Sequence, residues 1–165
     1  MHEIFLNPGE FHFGGGYTRI RTLLGSCVSI ALWHPQKKIG GMCHIMLPKR
    51  VRKLNAPFDG RYADEAMILF DREIARAGTK ASDYVAKIFG GGNMFPQQQA
   101  TDNQRIIGNQ NIAIALKQLQ ERKISIVAQH LGGDGHRKLI FDLWTGDVWL
   151  AFRKAALPMH NECAL

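Results

Sequence analysis

Cysteine is scarce in this chain: three in 165 residues, an odd number at irregular spacing. That excludes a paired disulfide framework and suits a reducing compartment. Long apolar runs are missing too. No stretch approaches the roughly 18 continuous apolar residues of a membrane span, so no insertion into a bilayer is expected. The opening Met1-His-Glu-Ile-Phe-Leu-Asn-Pro8 has neither the basic start nor the cleavage pattern of a secretory signal, and a cytoplasmic location is expected. Acidic residues are outnumbered, 14 against 21 basic, for a formal charge of +7. Much of that charge sits in Lys49-Arg-Val-Arg-Lys53, expected as a solvated loop attractive to polyanions or to an acidic protein surface. No helix-turn-helix, zinc-finger or aromatic-plus-basic RNA signature accompanies it, so nucleic acid is not the expected partner.

Metal and phosphate patterns are also lacking. His130-Leu-Gly-Gly-Asp-Gly-His136 matches no standard zinc spacing, and His160-Asn-Glu-Cys163 has no second ligand pair, so no metal is assigned. The triple glycine at 90–92 lacks the Gly-Lys-Ser/Thr ending of a P-loop and the spacing of a dinucleotide fingerprint. It reads as a turn beside a site, with Asn93 placed to bond a substrate amide.

What is present is an ordinary globular composition, 45% apolar, with alternating strand-like and helix-like blocks. Residues 18–33 read as one strand entering a turn at Gly25 and another leaving it, with Val28, Ile30 and Leu32 on one face. Residues 39–47 read as a hairpin partner joined through His34-Pro35-Gln36-Lys37. A helix is expected at about 61–77, its buried face being Ala63, Ala66, Met67, Phe70, Ile74 and Ala77. Asp64, Glu65, Asp71, Arg72 and Arg76 fall on its surface, and Gly78 is the stop. A strand over 84–89, a Gln-rich polar segment over 97–105, and a helix at about 109–122 with Ile112, Ala115, Leu116 and Leu119 follow. Strands close the pattern at 124–130, 138–143 and 147–153. The expected fold is α/β: a single layered domain over 1–165, with a largely antiparallel sheet, hairpins and two main helices. Its core spans about 18–152, with a loose tail over 154–165.

Against this background one pair stands out. Cys27 follows Gly25-Ser26 at the mouth of a turn, and His44 lies seventeen residues further on in Gly40-Gly-Met-Cys-His-Ile-Met-Leu-Pro48. A lone cysteine in an apolar strand is ordinarily a small buried hydrophobe. Gly25, however, permits close backbone approach and leaves N–H groups of the turn, around Ser26, available to an oxyanion. Two adjacent strands would bring thiol and imidazole within hydrogen-bond reach, where an imidazolium stabilises a thiolate and lowers the thiol pKa. Strand alternation puts Cys43 and His44 on opposite faces, so Cys43 is structural if His44 faces Cys27. The chain reads as a cysteine-dependent acyl-transfer enzyme.

Read together, Thr22-Leu-Leu-Gly-Ser-Cys-Val28, Gly41-Met-Cys-His-Ile-Met-Leu-Pro48, Lys87-Ile-Phe-Gly-Gly-Gly-Asn-Met-Phe95, Ile107-Gly-Asn-Gln-Asn111, Gly132-Gly-Asp-Gly-His-Arg137 and Thr145-Gly146 closely resemble the CheD family. These are the chemoreceptor glutamine deamidases of bacterial chemotaxis. The resemblance covers residues 18 to 152 and implies a Cys-His-Thr set: Cys27 as nucleophile, His44 as acid and base, and a threonine that orients the imidazole. The family pattern puts that threonine six residues before the cysteine. Arg21 holds that position here, and alternation sends Arg21 and Thr22 to opposite faces. Either the turn is one residue tighter, with Thr22 as the third member, or that member is missing or replaced; Thr22 is the assignment made. Gly25, Ser26 and Asn93 complete the expected oxyanion and substrate site.

The resemblance further implies a thioester route from glutamine to glutamate with no metal or organic cofactor. The substrate would be the cytoplasmic domain of chemoreceptors, and a CheC-type phosphatase a partner. Two other readings share these residues. One is a docking regulator with weak catalysis; the other is a receptor methylesterase, whose thioester chemistry differs only in the leaving group.

Overall fold

A computed structural model describes residues 1–94 and 101–155. Nine strands run in chain order: β1 (His2–Leu6), β2 (Phe11–Gly15), β3 (Thr18–Leu24), β4 (Val28–His34), β5 (Ile39–Cys43), β6 (Val85–Gly90), β7 (Ser125–Leu131), β8 (Gly135–Asp142) and β9 (Val148–Lys154). Two helices, α1 (Ala63–Arg76) and α2 (Thr101–Glu121), follow β5 and β6. The strands form two sheets, in the orders β1-β3-β8-β9 and β2-β5-β4-β6-β7. Only the β1/β3 and β6/β7 pairs are parallel, so the α/β fold with mostly antiparallel pairing agrees with the sequence reading. What sequence did not foresee is the division into two sheets.

Three layers result. Leu6, Ile20, Leu24, Leu139 and Phe141 of the first sheet meet Ala31, Met42 and Phe89 of the second in one core. The opposite face of the second sheet, through Val28, Ile30, Leu32, Cys43, Ala86 and Ile88, packs on α1 and α2 in another. β4 is thus covered on both sides, which explains why Val28-Ser-Ile-Ala-Leu32 reads as nearly continuous apolar sequence. Val28, Ile30 and Leu32 share the helix-facing side as expected, and Cys43 joins them.

α1 buries Ala63, Ala66, Met67, Phe70 and Ile74, each large side chain contributing about 1.5–3 kcal/mol. It ends where Gly78 adopts φ +68°. There Gly78 N–H donates to Ala75 O and Thr79 N–H to Ile74 O, the paired bonds of a Schellman stop. α2 begins eight residues earlier than expected, so its first turns lie in sequence read as a polar segment; the rest of that segment, 97–100, lies outside the described residues, as do 156–165 of the expected tail.

Two surface expectations need correction. Glu65 is 3% exposed and accepts both arms of the Arg50 guanidinium at 3.0 Å, along with Asp59 N–H at 3.1 Å. Nor is the basic segment 49–53 a uniformly solvated loop. Arg50 is held by Glu65, and Arg52 donates to Ala56 O and stacks on Phe58 at 4.3 Å. A charged pair escapes periodicity because a carboxylate can occupy a core-facing helix position once a guanidinium from elsewhere satisfies it. Glu65→Gln keeps the volume but breaks the charge pair. It is expected to lower unfolding free energy by about 2 kcal/mol in denaturant titrations.

The N-terminal residues carry more structure than the expected core boundary near residue 18 allowed. β1 joins the first sheet and β2 the second, and Leu6 is buried.

Candidate active site

The site lies where the two sheets meet. β3 ends at Leu24 in the first sheet and β4 begins at Val28 in the second, so Gly25-Ser26-Cys27 is a crossover between layers, not a hairpin turn. Its far end is pinned by reciprocal backbone bonds, Val28 N–H to Ile45 O at 3.0 Å and Ile45 N–H to Val28 O at 2.8 Å. Val28 and Ile45 both face the helices. Alternation from that pair sends Cys27 and His44 to the other face as diagonal neighbours on adjacent segments. Cys27 packs at the edge of the core between the sheets. No hydrogen bond joins its thiol to the imidazole among the described residues.

Thr22 does meet His44. Thr22 Oγ1 lies 2.7 Å from His44 Nδ1 and donates to Leu6 O at 2.9 Å. The hydroxyl has one proton, and the Leu6 carbonyl takes it, so Nδ1 carries the hydrogen of the Thr22–His44 bond. Nε2 is then left with its lone pair. Arg21 points the other way and pairs with Glu3. Thr22 and His44 come from different sheets, and only sheet packing brings them together.

The N-terminal segment completes the seat of the imidazole. His44 N–H donates to Glu10 O at 3.2 Å, and His44 O accepts from Gly9 N–H at 2.9 Å. No motif in the sequence marks Leu6, Gly9 or Glu10 as part of the site. The nearby signal was the short apolar run Ile4-Phe5-Leu6, part of a strand that pairs residue for residue with Thr18–Thr22.

Protonation differs from expectation. Burial pushes the His44 pKa down to about 4, against the smaller raising effects of the Leu6 carbonyl and the Glu10 charge. Burial also raises the Cys27 thiol. The resting site therefore holds a neutral thiol and a neutral imidazole, in place of the thiolate–imidazolium pair expected from residue type. The reason is desolvation: both charged forms lose more from leaving water than unbonded neighbours return.

The crossover keeps its own donors available. No backbone hydrogen bond among the described residues uses the N–H of Gly25, Ser26 or Cys27, whereas the carbonyls of Gly25 and Cys27 are engaged. Gly91 N–H donates to Cys27 O at 2.9 Å and Gly92 N–H to Gly25 O at 3.0 Å. The triple glycine thus lies as a floor under the turn that carries Cys27, and two of its N–H groups are consumed there. Gly90 has φ +117°, and a Cβ on it would lie 2.1 Å from Cys27 O. Gly90→Ala is expected to cost about 3 kcal/mol through backbone strain and overpacking, a melting drop of roughly 10 °C by calorimetry. It should also displace the turn carrying Cys27.

Asn93 is buried just beyond this floor. Its N–H donates to Gly133 O and its carbonyl accepts from Gly135 N–H, both at 2.8 Å. Beneath it Arg137, fully buried, donates Nε to His130 Nδ1 at 2.9 Å and Nη2 to Gly132 O at 2.5 Å. The segment of His130 and His136 is thus organised around an arginine. The other segment discounted as a ligand group, with His160 and Cys163, lies outside the described residues. An open groove of about 290 Å³, lined by Leu23, Leu24, Gly25, Met94 and His136, begins at the turn. A larger hollow of about 490 Å³ lies under residues 56–60, but no cysteine or histidine lines it.

Comparisons with known proteins place the chain in a family. The profile of the CheD family, described as CheD chemotactic sensory transduction, matches residues 46–152. A Dechloromonas aromatica (strain RCB) protein named probable chemoreceptor glutamine deamidase CheD 3 is 55% identical over 156 residues, 94% of this chain and 91% of that protein. Proteins named probable chemoreceptor glutamine deamidase CheD are 49% identical in Pseudomonas syringae pv. syringae (strain B728a), over 90% of this chain and 83% of the relative, and 46% identical in Pseudomonas fluorescens (strain SBW25), over 98% and 94%. With the profile covering well over half of the chain and these relatives nearly all of it, the chain belongs to the CheD family.

Proposed function

We propose that this chain is a thiol-dependent deamidase that converts glutamine side chains of chemoreceptors to glutamate, with Cys27, His44 and Thr22 as its catalytic set. The observation that carries the reading is the Thr22 Oγ1–His44 Nδ1 contact of 2.7 Å, which presents Nε2 as a base on the face that Cys27 shares. The names of the relatives support the choice of substrate.

In this reading substrate binding brings thiol and imidazole together. Nε2 takes the Cys27 proton as Sγ attacks the amide carbon. The carbonyl electrons move onto oxygen, and the N–H groups of Ser26 and Cys27 receive the oxyanion. The imidazolium returns the proton to the amide nitrogen, the C–N bond breaks, and ammonia leaves a thioester on Cys27. A water then gives a proton to Nε2 and attacks the thioester carbonyl, and collapse of that adduct releases glutamate and restores the thiol. Thr22 keeps the ring in the tautomer that this cycle needs. Asn93 orients the amide from beyond the glycine floor. Thiol, imidazole and backbone suffice, so the reaction uses no metal or organic cofactor, and the chain acts as a single cytoplasmic domain with the receptor's cytoplasmic part as substrate.

The test is peptide mass mapping of a purified receptor cytoplasmic fragment after incubation with the protein. Site-specific gain of about one mass unit at glutamines is expected. Hydrolysis of glutamate methyl esters in the same fragment, with the glutamines untouched, would overturn the amide reading in favour of an esterase.

A further inference from the structure

The outward face of the first sheet is unlike an ordinary solvated surface. Its outward positions run from Phe5 on β1, through Arg19, Arg21 and Leu23 on β3, and His136, Lys138 and Ile140 on β8, to Trp149, Ala151 and Arg153 on β9. Phe5, Leu23 and Trp149 are 50%, 52% and 58% exposed, large apolar side chains on one face with no layer over them among the described residues.

Charge on this face is one-sided. Its two carboxylates are already occupied: Glu3 pairs with Arg21, and Asp142 holds Arg19 through two bonds of 2.6 and 2.9 Å. Lys138 and Arg153 have no such partner among the described residues. The groove that begins at Gly25 continues onto this face. A second hollow of about 340 Å³, lined by Leu23, His136, Lys138, Ala151 and Arg153, shares Leu23 and His136 with the first.

We propose that this face is the docking surface for the protein substrate: an acidic, amphipathic segment of the receptor beside the reacting glutamine lies across Leu23 and His136, with carboxylates on Lys138 and Arg153. The inference rests on the deamidase reading for what the segment is, and on charge complementarity and continuity with the nucleophile turn for where it lies. A glutamine reaching Cys27 leaves its neighbouring residues over Leu23, because the groove opens from Gly25 in that direction. The exposed apolar side chains supply contact area, and the two unpaired cations select an acidic segment and speed its approach. Since both cations are surface groups that touch neither Cys27 nor His44, they act on capture and not on chemistry.

The experiment compares wild type with Lys138→Glu/Arg153→Glu and with Lys138→Gln/Arg153→Gln on the receptor fragment. Conversion rate, binding by sedimentation, and Cys27 alkylation by iodoacetamide are measured at low and at high salt. The expected result is a KM raised about tenfold by the charge reversal and less by neutralisation, with kcat within twofold and the alkylation rate unchanged. The wild-type advantage should shrink at high salt. Conversion with unaltered KM in both variants would overturn the docking surface and leave the deamidase reading standing. Charge-dependent binding without any conversion by wild type would do the reverse. Absence of both binding and conversion by wild type would overturn both.

Discussion

Cys27→Ala is expected to abolish conversion of receptor glutamine, by a factor on the order of 10⁴ or more in kcat, with the protein still folded. The nucleophile is the one group in the proposed cycle that no neighbour can replace. Cys43 is fully buried on the helix side of β5, and its thiol makes a long contact of 3.8 Å to Ile30 O. Burial pushes its thiol up to about 12, so it cannot stand in. Removal of a covalent nucleophile leaves only what substrate binding and the oxyanion donors supply. Cys27 itself is only partly buried, so losing its sulfur opens little cavity, and the melting temperature should move by no more than a few degrees. Deamidation by mass mapping and unfolding by calorimetry, on the same preparation, give both readouts. Retention of even one-tenth of wild-type kcat by Cys27→Ala would exclude thioester chemistry at this turn.

The second large effect is expected at the imidazole. His44→Gln preserves approximate volume but removes the base, and should lower kcat by about 10²–10⁴-fold. Thr22→Val should cost less, about tenfold, because the Leu6 carbonyl remains beside Nδ1 and still favours the same tautomer. The double variant should be no slower than His44→Gln alone, since Thr22 acts through the ring it orients. An additive loss in the double variant would show that Thr22 works on the substrate directly. In wild type the acid limb of kcat/KM should fall near pH 4, with a plateau through neutrality, because a ring held at about 4 is already a free base at pH 6.

Stability should follow the same group. The unfolded chain takes up the proton near 6.5 and the folded chain only near 4. Between those values the unfolded state binds more protons, so stability falls as pH is lowered and the loss levels off below 4. The full shift corresponds to about 3 kcal/mol. Denaturant midpoints of wild type and His44→Gln measured from pH 7 to 4 should converge toward the acid end.

Much of this protein can be read along the chain. The period of α1 singles out Ala63, Ala66, Met67, Phe70, Ile74 and Ala77; the first five are buried, because helix periodicity reports which face meets a core, while Ala77 falls at the cap and is only half-buried. The hairpin of β4 and β5 follows from two apolar runs about a polar turn, and its register pairs His34 with Ile39. The glycine floor under Cys27 was expected as a turn beside the site, since three consecutive glycines suit a place where backbones nearly touch. Glu65 escaped because periodicity says that a face is covered, not that a guanidinium fifteen residues earlier in the chain covers it. The N-terminal strands escaped because β1 is only five residues long and gains its place from β3, its parallel partner.

Sequence alone determined the family, the α/β class, and Cys27 and His44 as the groups to test, since these depend on residue type in a local motif. Only the tertiary structure shows that Thr22, and not Arg21, lies against His44. Alternation says that the two face opposite ways, but not which way the second sheet lies. Tertiary structure also decided the protonation of the pair, because desolvation belongs to the assembled neighbours of a group and to no residue by itself. Thr22 from one sheet, His44 from the other and the Leu6 carbonyl from the first strand meet only when both sheets close over a shared core. That packing selects the tautomer and lowers the imidazole pKa.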